Sequence, residues 1–348
     1  MQLSSHFTKF GNVVLLSLML ASQEVQSQES AWDIDTLQQI DPAELGYLTH
    51  STLLVDSSGT ILWSWGDLDE KLEVFSMRKS LLSVLIGILI ADGKLDINST
   101  LSELHIDDKQ GLSDQEKTAS VLDLLITRSG VYHPAAYETP RMINNRPNRD
   151  QHLPGEYWFY NNWDFNTLNT VFERAAGRSV ADAFKVKIAD PIGMRDFETD
   201  DVSYVFEDVS AHPAVTFRLS AVDLSKFAVL LLNEGMWHEE QIVPAEWIRE
   251  STSVHSDIGM FGGYGYSWWV ATHGDHLPRL KMPDGTYSAR GTGEQMILIL
   301  PSLNVAWLHR TRVTSPDQEK MHVTETARLL SKILNTHAKR ERFHDSRF

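Results

Sequence analysis

The pattern of hydrophobic and polar positions changes twice along the chain. Near the N-terminus, two short apolar runs flank Asp56-Ser57-Ser58-Gly59, which predicts a β-hairpin with strands over residues 51–55 and 60–65. From there to about residue 235 the apolar positions follow a helical period, with long polar loops between the helices. The predicted helices cover residues 76–91, 120–127, 164–176 and 220–232.

The last third of the chain returns to a strand-like period. Its predicted strands cover residues 264–271, 287–290, 295–300 and 305–311, and a final helix covers residues 324–334. Strands at both ends with helices between them predict an α/β (α+β) fold, in which an antiparallel sheet is built from both chain ends. We expect a sheet lobe from residues 33–75 and 236–338, and a helical insertion lobe from residues 76–235.

Both termini differ from the body of the chain. Lys9 precedes the apolar run 13–21, which is short for a membrane span, and Val25-Gln26-Ser27 supplies small residues for cleavage. This pattern predicts a signal peptide over residues 1–27, a periplasmic or secreted protein, and no stable membrane insertion after cleavage. A retained N-terminal anchor is the alternative. Residues 339–348 are predicted to be a basic, solvated tail.

Charge and composition exclude several classes of function. The 348 residues include 31 Lys and Arg against 47 Asp and Glu, a net charge of −16 that argues against nucleic acid as a partner. The absence of cysteine excludes disulfides and thiol catalysis. His273 and His276 lie close in sequence but lack a third ligand, so we predict neither a metal nor a cofactor. The oligomeric state is left open.

Ser76-Met77-Arg78-Lys79 opens the long apolar helix. Residues three apart on a helix share a face, so Ser76 and Lys79 can meet. A desolvated lysine can take the proton of a serine hydroxyl, and unpaired N–H groups at a helix N-terminus favour an oxyanion. In isolation the pattern is more typical of an N-cap serine followed by an exposed lysine. The apolar run that follows would bury this lysine, however, which favours the catalytic interpretation.

Two later patterns also carry possible chemistry. In Tyr160-Asn161-Asn162, a tyrosine phenol can relay protons if neighbouring ammonium groups lower its pKa, and the Asn162 amide can hold a lysine or a substrate carbonyl. In the segment 289–293, Gly291 and Gly293 allow another backbone or a ligand to come close. Each pattern by itself is common in loops and turns.

Taken in order, these parts resemble the serine β-lactamase-like hydrolases related to class C β-lactamases, D,D-peptidases, family VIII esterases and 6-aminohexanoate-dimer hydrolase. The resemblance covers roughly residues 45–335. The parts that carry it are Phe75-Ser76-x-x-Lys79, Thr127-Arg128-Ser129-Gly130, Pro154-Gly155, Tyr160-Asn161-Asn162, Pro191-Ile192-Gly193-Met194, Tyr264-Gly265-Tyr266-x-Trp268-Trp269 and Arg290-Gly291…Gln295.

The resemblance implies a β-lactamase/transpeptidase-like fold and a catalytic set. Ser76 would be the acylated nucleophile, Lys79 its proton partner and Tyr160 the second general base, with Asn162 completing that motif. The oxyanion hole of the family maps to the backbone N–H groups of Ser76 and Thr292.

The third motif of the family, Lys- or His-Thr-Gly, falls on Ala289-Arg290-Gly291, so the basic residue is missing. Neighbouring strand residues point to opposite faces, and Arg290 is therefore not expected to replace it. The resemblance implies that this basic residue helps to seat a substrate carboxylate. Its absence favours a neutral ester or amide over a β-lactam or a peptidoglycan peptide.

Several aromatic residues are candidates for the cleft wall, although packing is the more common role of such residues. They are Tyr132, His133 and Tyr137 in a polar loop, together with Trp158 and Trp268. We predict a serine hydrolase that forms an acyl-enzyme with a small-molecule or peptide-like ester or amide. The alternatives are a β-lactamase or D-Ala-D-Ala carboxypeptidase, and a non-catalytic penicillin-binding-like or sensor protein that keeps the fold.

Overall fold

Most of the helices lie in the middle of the chain, and most of the strands lie toward its two ends. A computed structural model describes residues 31–45, 48–313 and 322–338. The helices are α1 (Ile34–Gln38), α2 (Arg78–Ala91), α3 (Val121–Leu125), α4 (Pro140–Asn144), α5 (Asn162–Ala176), α6 (Val180–Phe184), α7 (Ala221–Leu232), α8 (Ala245–Ser251) and α9 (Val323–Leu334). The strands are β1 (Ser51–Asp56), β2 (Ile61–Gly66), β3 (Leu72–Glu73), β4 (Val202–Val205), β5 (Ala214–Leu219), β6 (Met236–Trp237), β7 (Glu240–Gln241), β8 (Ser256–Asp257), β9 (Gly263–Tyr264), β10 (Trp269–Val270), β11 (Tyr287–Gly291), β12 (Gln295–Leu300) and β13 (Val305–Arg310). The predicted signal peptide over residues 1–27 and basic tail over residues 339–348 lie outside the described residues.

The main sheet combines strands from the two ends of the chain. Its eight strands follow the order β2-β1-β13-β12-β11-β10-β9-β8, and each neighbouring pair is antiparallel. The N-terminal hairpin joins the C-terminal strands through β1 and β13, where Ser51 pairs with Arg310. The predicted antiparallel sheet built from both chain ends is confirmed.

Helices cover both faces of this sheet. The side chains of β12 alternate between the faces, and all six of its residues are buried. Ile297 and Ile299 belong to the core cluster shared with α2, α5 and α7, whereas Met296, Leu298 and Leu300 belong to the cluster shared with α1 and α9. This two-sided burial explains why β12 is a continuous apolar run rather than an alternating one.

The predicted strand over residues 264–271 is wrong. The chain forms β9 and β10 there, joined by a turn in which the Gly265 N–H donates to the Trp268 carbonyl at 2.8 Å. Ser267 takes a φ of 65° in this turn. A Cβ on Gly265 would lie 2.2 Å from the Ser251 carbonyl oxygen, so only glycine fits there. The turn reverses the chain, so that Trp269 rather than Trp268 lies beside Tyr160.

A small sheet of β3, β5 and β4 departs from the sequence prediction, in which the stretch up to residue 235 is helical. Short apolar runs do not separate strand from helix by periodicity. The small sheet holds the segment that leads into the Ser76 turn, since Glu73 of β3 pairs with Arg218 of β5. The described residues from Trp32 onward form one compact unit. Within them, no helix has the length and apolar character to cross a bilayer.

Candidate active site

Ser76 lies in a 3-10 turn, Phe75–Met77, directly ahead of α2. Phe75 has a φ of 49°, a left-handed conformation that is rare for a residue with a bulky side chain. The turn is packed against the end of β11, where a Cβ on Gly291 would lie 2.3 Å from the Val74 carbonyl oxygen. Glycine at 291 therefore allows the strand and the Ser76 turn to approach backbone to backbone.

Lys79 connects the other two predicted catalytic side chains. Its Nζ donates to the Ser76 Oγ at 3.1 Å and to the Tyr160 hydroxyl at 2.7 Å. Ser76 and Lys79 meet because they lie one helical turn apart. Tyr160 arrives from a distant loop just ahead of α5. The structure thus brings together all three residues that the sequence pattern assigned to proton transfer.

The environment of Lys79 is apolar. The side chain is buried, with a residue exposure of 2%, and its Nζ lies 4.2 Å from the Tyr160 ring centroid and 4.6 Å from that of Phe165. Burial, followed by the positive charge of Arg78, holds the pKa of Lys79 well below its usual value. A lysine of this kind can be an uncharged amine near neutral pH, and can therefore accept a proton.

Burial acts on Tyr160 in the opposite sense. It raises the pKa of the phenol to about 12, against the opposing influence of the Ser76 hydroxyl and the Arg78 charge. The sequence motif was compatible with a tyrosine whose pKa is lowered by ammonium groups, but burial outweighs the charges here. Tyr160 is therefore a neutral phenol at neutral pH, able to pass a proton on rather than to start as a phenolate.

A buried polar network fixes the loop that carries Tyr160. The Asn161 side chain caps α5 by accepting from the Asp164 N–H at 2.9 Å, and its Nδ2 donates to the Phe159 carbonyl at 2.8 Å. Asp164 in turn accepts from Asn161 Nδ2 at 3.0 Å and from the Ser129 hydroxyl at 2.6 Å. Because Asp164 is fully buried, its pKa is raised well above the usual value. Hydrogen bonds at Phe159 and Asn161 thus hold the backbone on both sides of Tyr160.

Asn162 does not hold Lys79 in this structure. Its Nδ2 donates to the Tyr137 carbonyl, while its buried Oδ1 has no hydrogen-bond partner among the described residues. Tyr137 is half-buried, its hydroxyl donates to the Glu73 carboxylate, and its N–H donates to Glu207 at 2.8 Å. Asn162 therefore ties the Tyr137 loop to α5, and Tyr137 lies beside the strand that leads to Ser76.

The other two candidates from the polar loop are packed inside. Tyr132 is only 5% exposed, and its ring packs edge-on against Phe159 at 5.9 Å and His152 at 6.2 Å. His133 is buried and lies 3.1 Å from the Glu116 carboxylate. Both residues support the loop rather than line the space beside Ser76.

The tryptophans beside Tyr160 are Trp158 and Trp269, whereas the sequence predicted Trp158 and Trp268. Trp268 is fully buried against Tyr287, with ring centroids 5.4 Å apart. Trp269 is half-buried, with its ring centroid 5.6 Å from that of Tyr160, and Trp158 lies 6.4 Å from the same ring. The pair Trp268-Trp269 was visible in the sequence, but the turn between β9 and β10 decides which of the two faces Tyr160.

Position 289 carries no basic group. Ala289 is fully buried within β11. Arg290 points away from it, because its Nε donates to the Ser288 hydroxyl at 2.8 Å and its Nη2 donates to the His276 carbonyl at 2.9 Å. Its guanidinium lies 5.1 Å from the Trp269 ring centroid. Thr292 is half-buried just after Gly291, in the turn between β11 and β12.

Arg78 is a neighbour of the site that was not predicted from the sequence. It occupies a variable position of the Ser-x-x-Lys pattern, is buried, and donates through Nη2 to the Asn166 side chain at 3.2 Å. Burial lowers its pKa to about 10, so it remains charged at neutral pH. Arginine inside the motif gave no signal by itself, since charged residues at a helix start are usually exposed.

Within the part of the chain that the structure describes, one cluster of three side chains outside the site has the spacing of metal ligands. Single ligand atoms of His50, Asp67 and Glu70 lie within 4.8 Å of one another. The Glu70 carboxylate also accepts a hydrogen bond from Arg312, so the guanidinium of that residue already binds one of its oxygens. His276, of the sequence pair His273 and His276, lies 2.9 Å from the Ser288 hydroxyl and is fully buried.

Comparison with known proteins identifies the family and the fold of the chain. The sequence profile of the family described as Beta-lactamase matches residues 53–328. Protein flp of Staphylococcus aureus (strain MW2) is 22% identical over 217 residues, covering 56% of this chain and 42% of that protein. The chain therefore spans less than half the length of this curated relative.

Two solved structures share the fold. A Bacillus anthracis protein provisionally assigned as a 6-aminohexanoate-dimer hydrolase has a TM-score of 0.63 at 19% identity, covering 86% of this chain and 81% of its own. EstCE1, a hydrolase with promiscuous acyltransferase activity, has a TM-score of 0.60 at 15% identity, covering 86% and 97%. At these identities the structures establish a β-lactamase/transpeptidase-like fold. With the family profile covering most of its length, the chain belongs to the Beta-lactamase family.

Proposed function

We propose that the protein is a serine hydrolase that cleaves an ester or amide bond through an acyl-enzyme on Ser76. One observation carries this proposal: the Nζ of the buried Lys79 lies 3.1 Å from the Ser76 Oγ and 2.7 Å from the Tyr160 hydroxyl. A lysine is costly to bury without an ion-pair partner, and proton transfer from serine is a function that offsets this cost. Membership of the Beta-lactamase family supports the same chemistry.

In the proposed mechanism, the substrate carbonyl oxygen binds between the backbone N–H groups of Ser76 and Thr292. The Ser76 Oγ bonds to the carbonyl carbon while its proton moves to Lys79. As the tetrahedral intermediate collapses, this proton passes through Tyr160 to the leaving oxygen or nitrogen. Water then attacks the acyl-enzyme, gives one proton back to Ser76 through the same pair, and releases the acid.

The proposed substrate is a small-molecule or peptide-like ester or amide without a carboxylate to be seated at position 289. Ala289 is buried, and Arg290 is occupied by the Ser288 hydroxyl and the His276 carbonyl. Trp158 and Trp269 instead present aromatic surface beside Tyr160. These observations favour an ester or amide hydrolase over a β-lactamase or a D-Ala-D-Ala carboxypeptidase.

Covalent labelling tests the proposal. A fluorophosphonate should add its mass to a single peptide that contains Ser76, and the Ser76→Ala variant should stay unlabelled. Wild-type protein that is folded, yet takes no label and hydrolyses no ester, amide or lactam, would support the non-catalytic alternative instead. A panel of p-nitrophenyl esters, a linear amide dimer, a chromogenic cephalosporin and a D-Ala-D-Ala peptide then ranks the substrate classes.

We also propose that the protein is exported through residues 1–27. The support is the pattern of a basic residue, a short apolar run and small residues near Ser27. Mass spectrometry of the N-terminal peptide from fractionated cells should show a chain that starts just after this segment. A chain that keeps residues 1–27 and sediments with membranes would favour a retained anchor.

A further inference from the structure

Arg310, at the end of β13, is a fully buried cation with an unusual set of partners. No carboxylate within the described ranges lies within 4 Å of its guanidinium, so it forms no ion pair there. Its Nε donates to Gln295 Oε1 at 2.7 Å, its Nη1 to the Leu219 carbonyl at 2.8 Å, and its Nη2 to the Leu72 and Glu73 carbonyls at 2.9 and 3.3 Å. Burial lowers the pKa of Arg310 to about 9, so it stays charged at neutral pH.

The partners of Arg310 belong to two segments that both lead to the proposed oxyanion hole. Leu72 and Glu73 form β3, which runs into the Phe75–Met77 turn. Gln295 opens β12 and pairs with Gly291, the residue before Thr292. One guanidinium therefore joins the backbone just ahead of Ser76 to the strand just after Thr292.

A second layer of hydrogen bonds extends this link. Gln295 Nε2 donates to the Thr311 carbonyl at 2.6 Å, and the Thr311 hydroxyl donates to the Gly293 carbonyl. The turn that contains Thr292 is thus fixed from behind by Gln295 and Thr311, and Arg310 holds Gln295 in place. Each of these side chains is buried, so water does not compete for the contacts.

Backbone atoms make the direct contact between the Ser76 turn and β11. The Ser76 turn and β11 meet at Gly291, where there is no room even for a Cβ. Two N–H donors that stabilise an oxyanion must nevertheless be correctly spaced, because errors of about 1 Å can cost about 10²-fold in rate. The hydrogen bonds of Arg310 and Gln295 link the two segments and can set this spacing.

We propose that Arg310 is a positioning residue that fixes the spacing between the Ser76 and Thr292 N–H groups. This inference rests on the proposed hydrolase function and adds to it a residue far from both motifs in sequence. Arg310 does not touch the substrate. It acts through the carbonyls of β3 and through Gln295.

The test compares Arg310→Met and Arg310→Lys with a matched control, Thr52→Val. Thr52 is equally buried, and its hydroxyl donates to the Leu308 carbonyl at 2.7 Å, so the control removes a buried sheet contact away from the Ser76 turn. Four quantities are measured for each protein: the thermal midpoint, kcat and KM for an ester that the wild type cleaves, and Kd for a boronic acid that forms a tetrahedral adduct on Ser76.

For Arg310→Met we expect kcat to fall by about 10- to 100-fold, because removal of one oxyanion donor costs about 10²–10³-fold. The Kd for the boronic acid should rise by a similar factor, while KM should change by less than about threefold. Arg310→Lys keeps the charge but cannot span four acceptors, so it should lie between the wild type and Arg310→Met. Thr52→Val should lower the thermal midpoint while leaving kcat and the boronic acid Kd close to wild type.

Gln295→Leu provides a route that keeps Arg310 and serves if Arg310→Met does not fold. It should reproduce the loss in kcat and in boronic acid binding, and the two changes combined should cost less than the product of their separate effects, since both break one link. If the wild type is labelled on Ser76 but the Arg310 and Gln295 variants keep wild-type kcat and boronic acid Kd, the positioning role is overturned and the hydrolase function stands. A wild type that takes no label overturns both.

Discussion

Lys79 and Arg310 are two cationic side chains that the fold removes from water, and their surroundings differ. Arg310 gives its donors to three backbone carbonyls and one amide oxygen. Among the described residues, the Lys79 Nζ has two hydroxyl groups as hydrogen-bond partners and lies beside two aromatic rings. Guanidinium keeps its proton under all physiological conditions, whereas a buried lysine can release its proton readily.

These surroundings suit a structural role for Arg310 and a proton-transfer role for Lys79. Carbonyl acceptors compensate a fixed cation, so Arg310 can stay charged and hold the backbone in place. Hydroxyl groups compensate a cation poorly but can exchange protons with it, which suits the role proposed for Lys79. The comparison predicts that changes at Lys79 affect chemistry far more than stability.

The largest expected effect comes from Lys79→Ala. Loss of the base should lower kcat/KM by about 10²–10⁴-fold for the preferred ester, while the circular dichroism spectrum stays that of the folded protein. Lys79→Arg should be no better, because arginine cannot serve as a neutral base at this pH. Activity of either variant within a few-fold of wild type would remove Lys79 from the mechanism.

Tyr160→Phe should have the next largest effect, a decrease of about 10²-fold or more in kcat/KM. The variant keeps the ring that covers Lys79 and loses only the hydroxyl at 2.7 Å from its Nζ. We expect the leaving group to matter more in the variant, because Tyr160 is assigned to deliver its proton. A p-nitrophenyl ester, which needs little protonation, should therefore lose less rate than an alkyl ester or an amide. Equal losses for all three would contradict that assignment.

Gly291→Ala should have a moderate effect. The new Cβ would lie 2.3 Å from the Val74 carbonyl oxygen, so the Ser76 turn and β11 must separate. A displacement of this kind should lower kcat by about 10- to 100-fold through the oxyanion hole. Gly59→Ala is the control: Gly59 has a φ of 86°, but no atom of the described residues lies within 4 Å of the place that a methyl group would take, so the change should cost stability and leave kcat unchanged. Equal kcat values for the two variants would show that the close approach at Gly291 is not needed for turnover.

The smallest expected effect is the change in the free energy of unfolding when Lys79 is replaced by methionine. Since its pKa is lowered in the folded state, folding between that lowered pKa and about pH 10 must expel a proton that the unfolded chain keeps. Lys79→Met removes this cost and should raise the free energy of unfolding at pH 7, with the gain shrinking as the pH rises toward about 10. Urea unfolding at pH 7 and pH 9 measures the difference. A gain that does not change with pH would mean that Lys79 is charged in the folded protein.

Local patterns in the sequence predicted the parts of the site that depend on local geometry. Ser76 and Lys79 meet because of helix periodicity, and the apolar residues of α2 already indicated that Lys79 is buried. The sheet built from both chain ends followed from where the strand-like runs occur. Tyr160 was selected through the order of the motifs, and the structure places its hydroxyl against Lys79.

Features set by tertiary contacts were not predictable in the same way. Trp269 faces Tyr160 in place of Trp268 because Ser267 takes a positive φ and reverses the chain. Arg310 gave no signal, since its carbonyl partners lie in β3 and β5, far away in sequence. Asn162 turned toward the Tyr137 carbonyl because the loop around Tyr137 folds over α5.

The most direct test of the central claim is the pH dependence of the fluorophosphonate labelling rate at Ser76, measured for wild type and for Lys79→Met. If Lys79 is the base, wild-type labelling should rise with pH through a single acid limb whose midpoint lies well below the usual lysine pKa and then level off, because the neutral amine is the active form. Lys79→Met should label far more slowly and without that limb. An identical acid limb in the variant, or a label on a residue other than Ser76, would contradict the account.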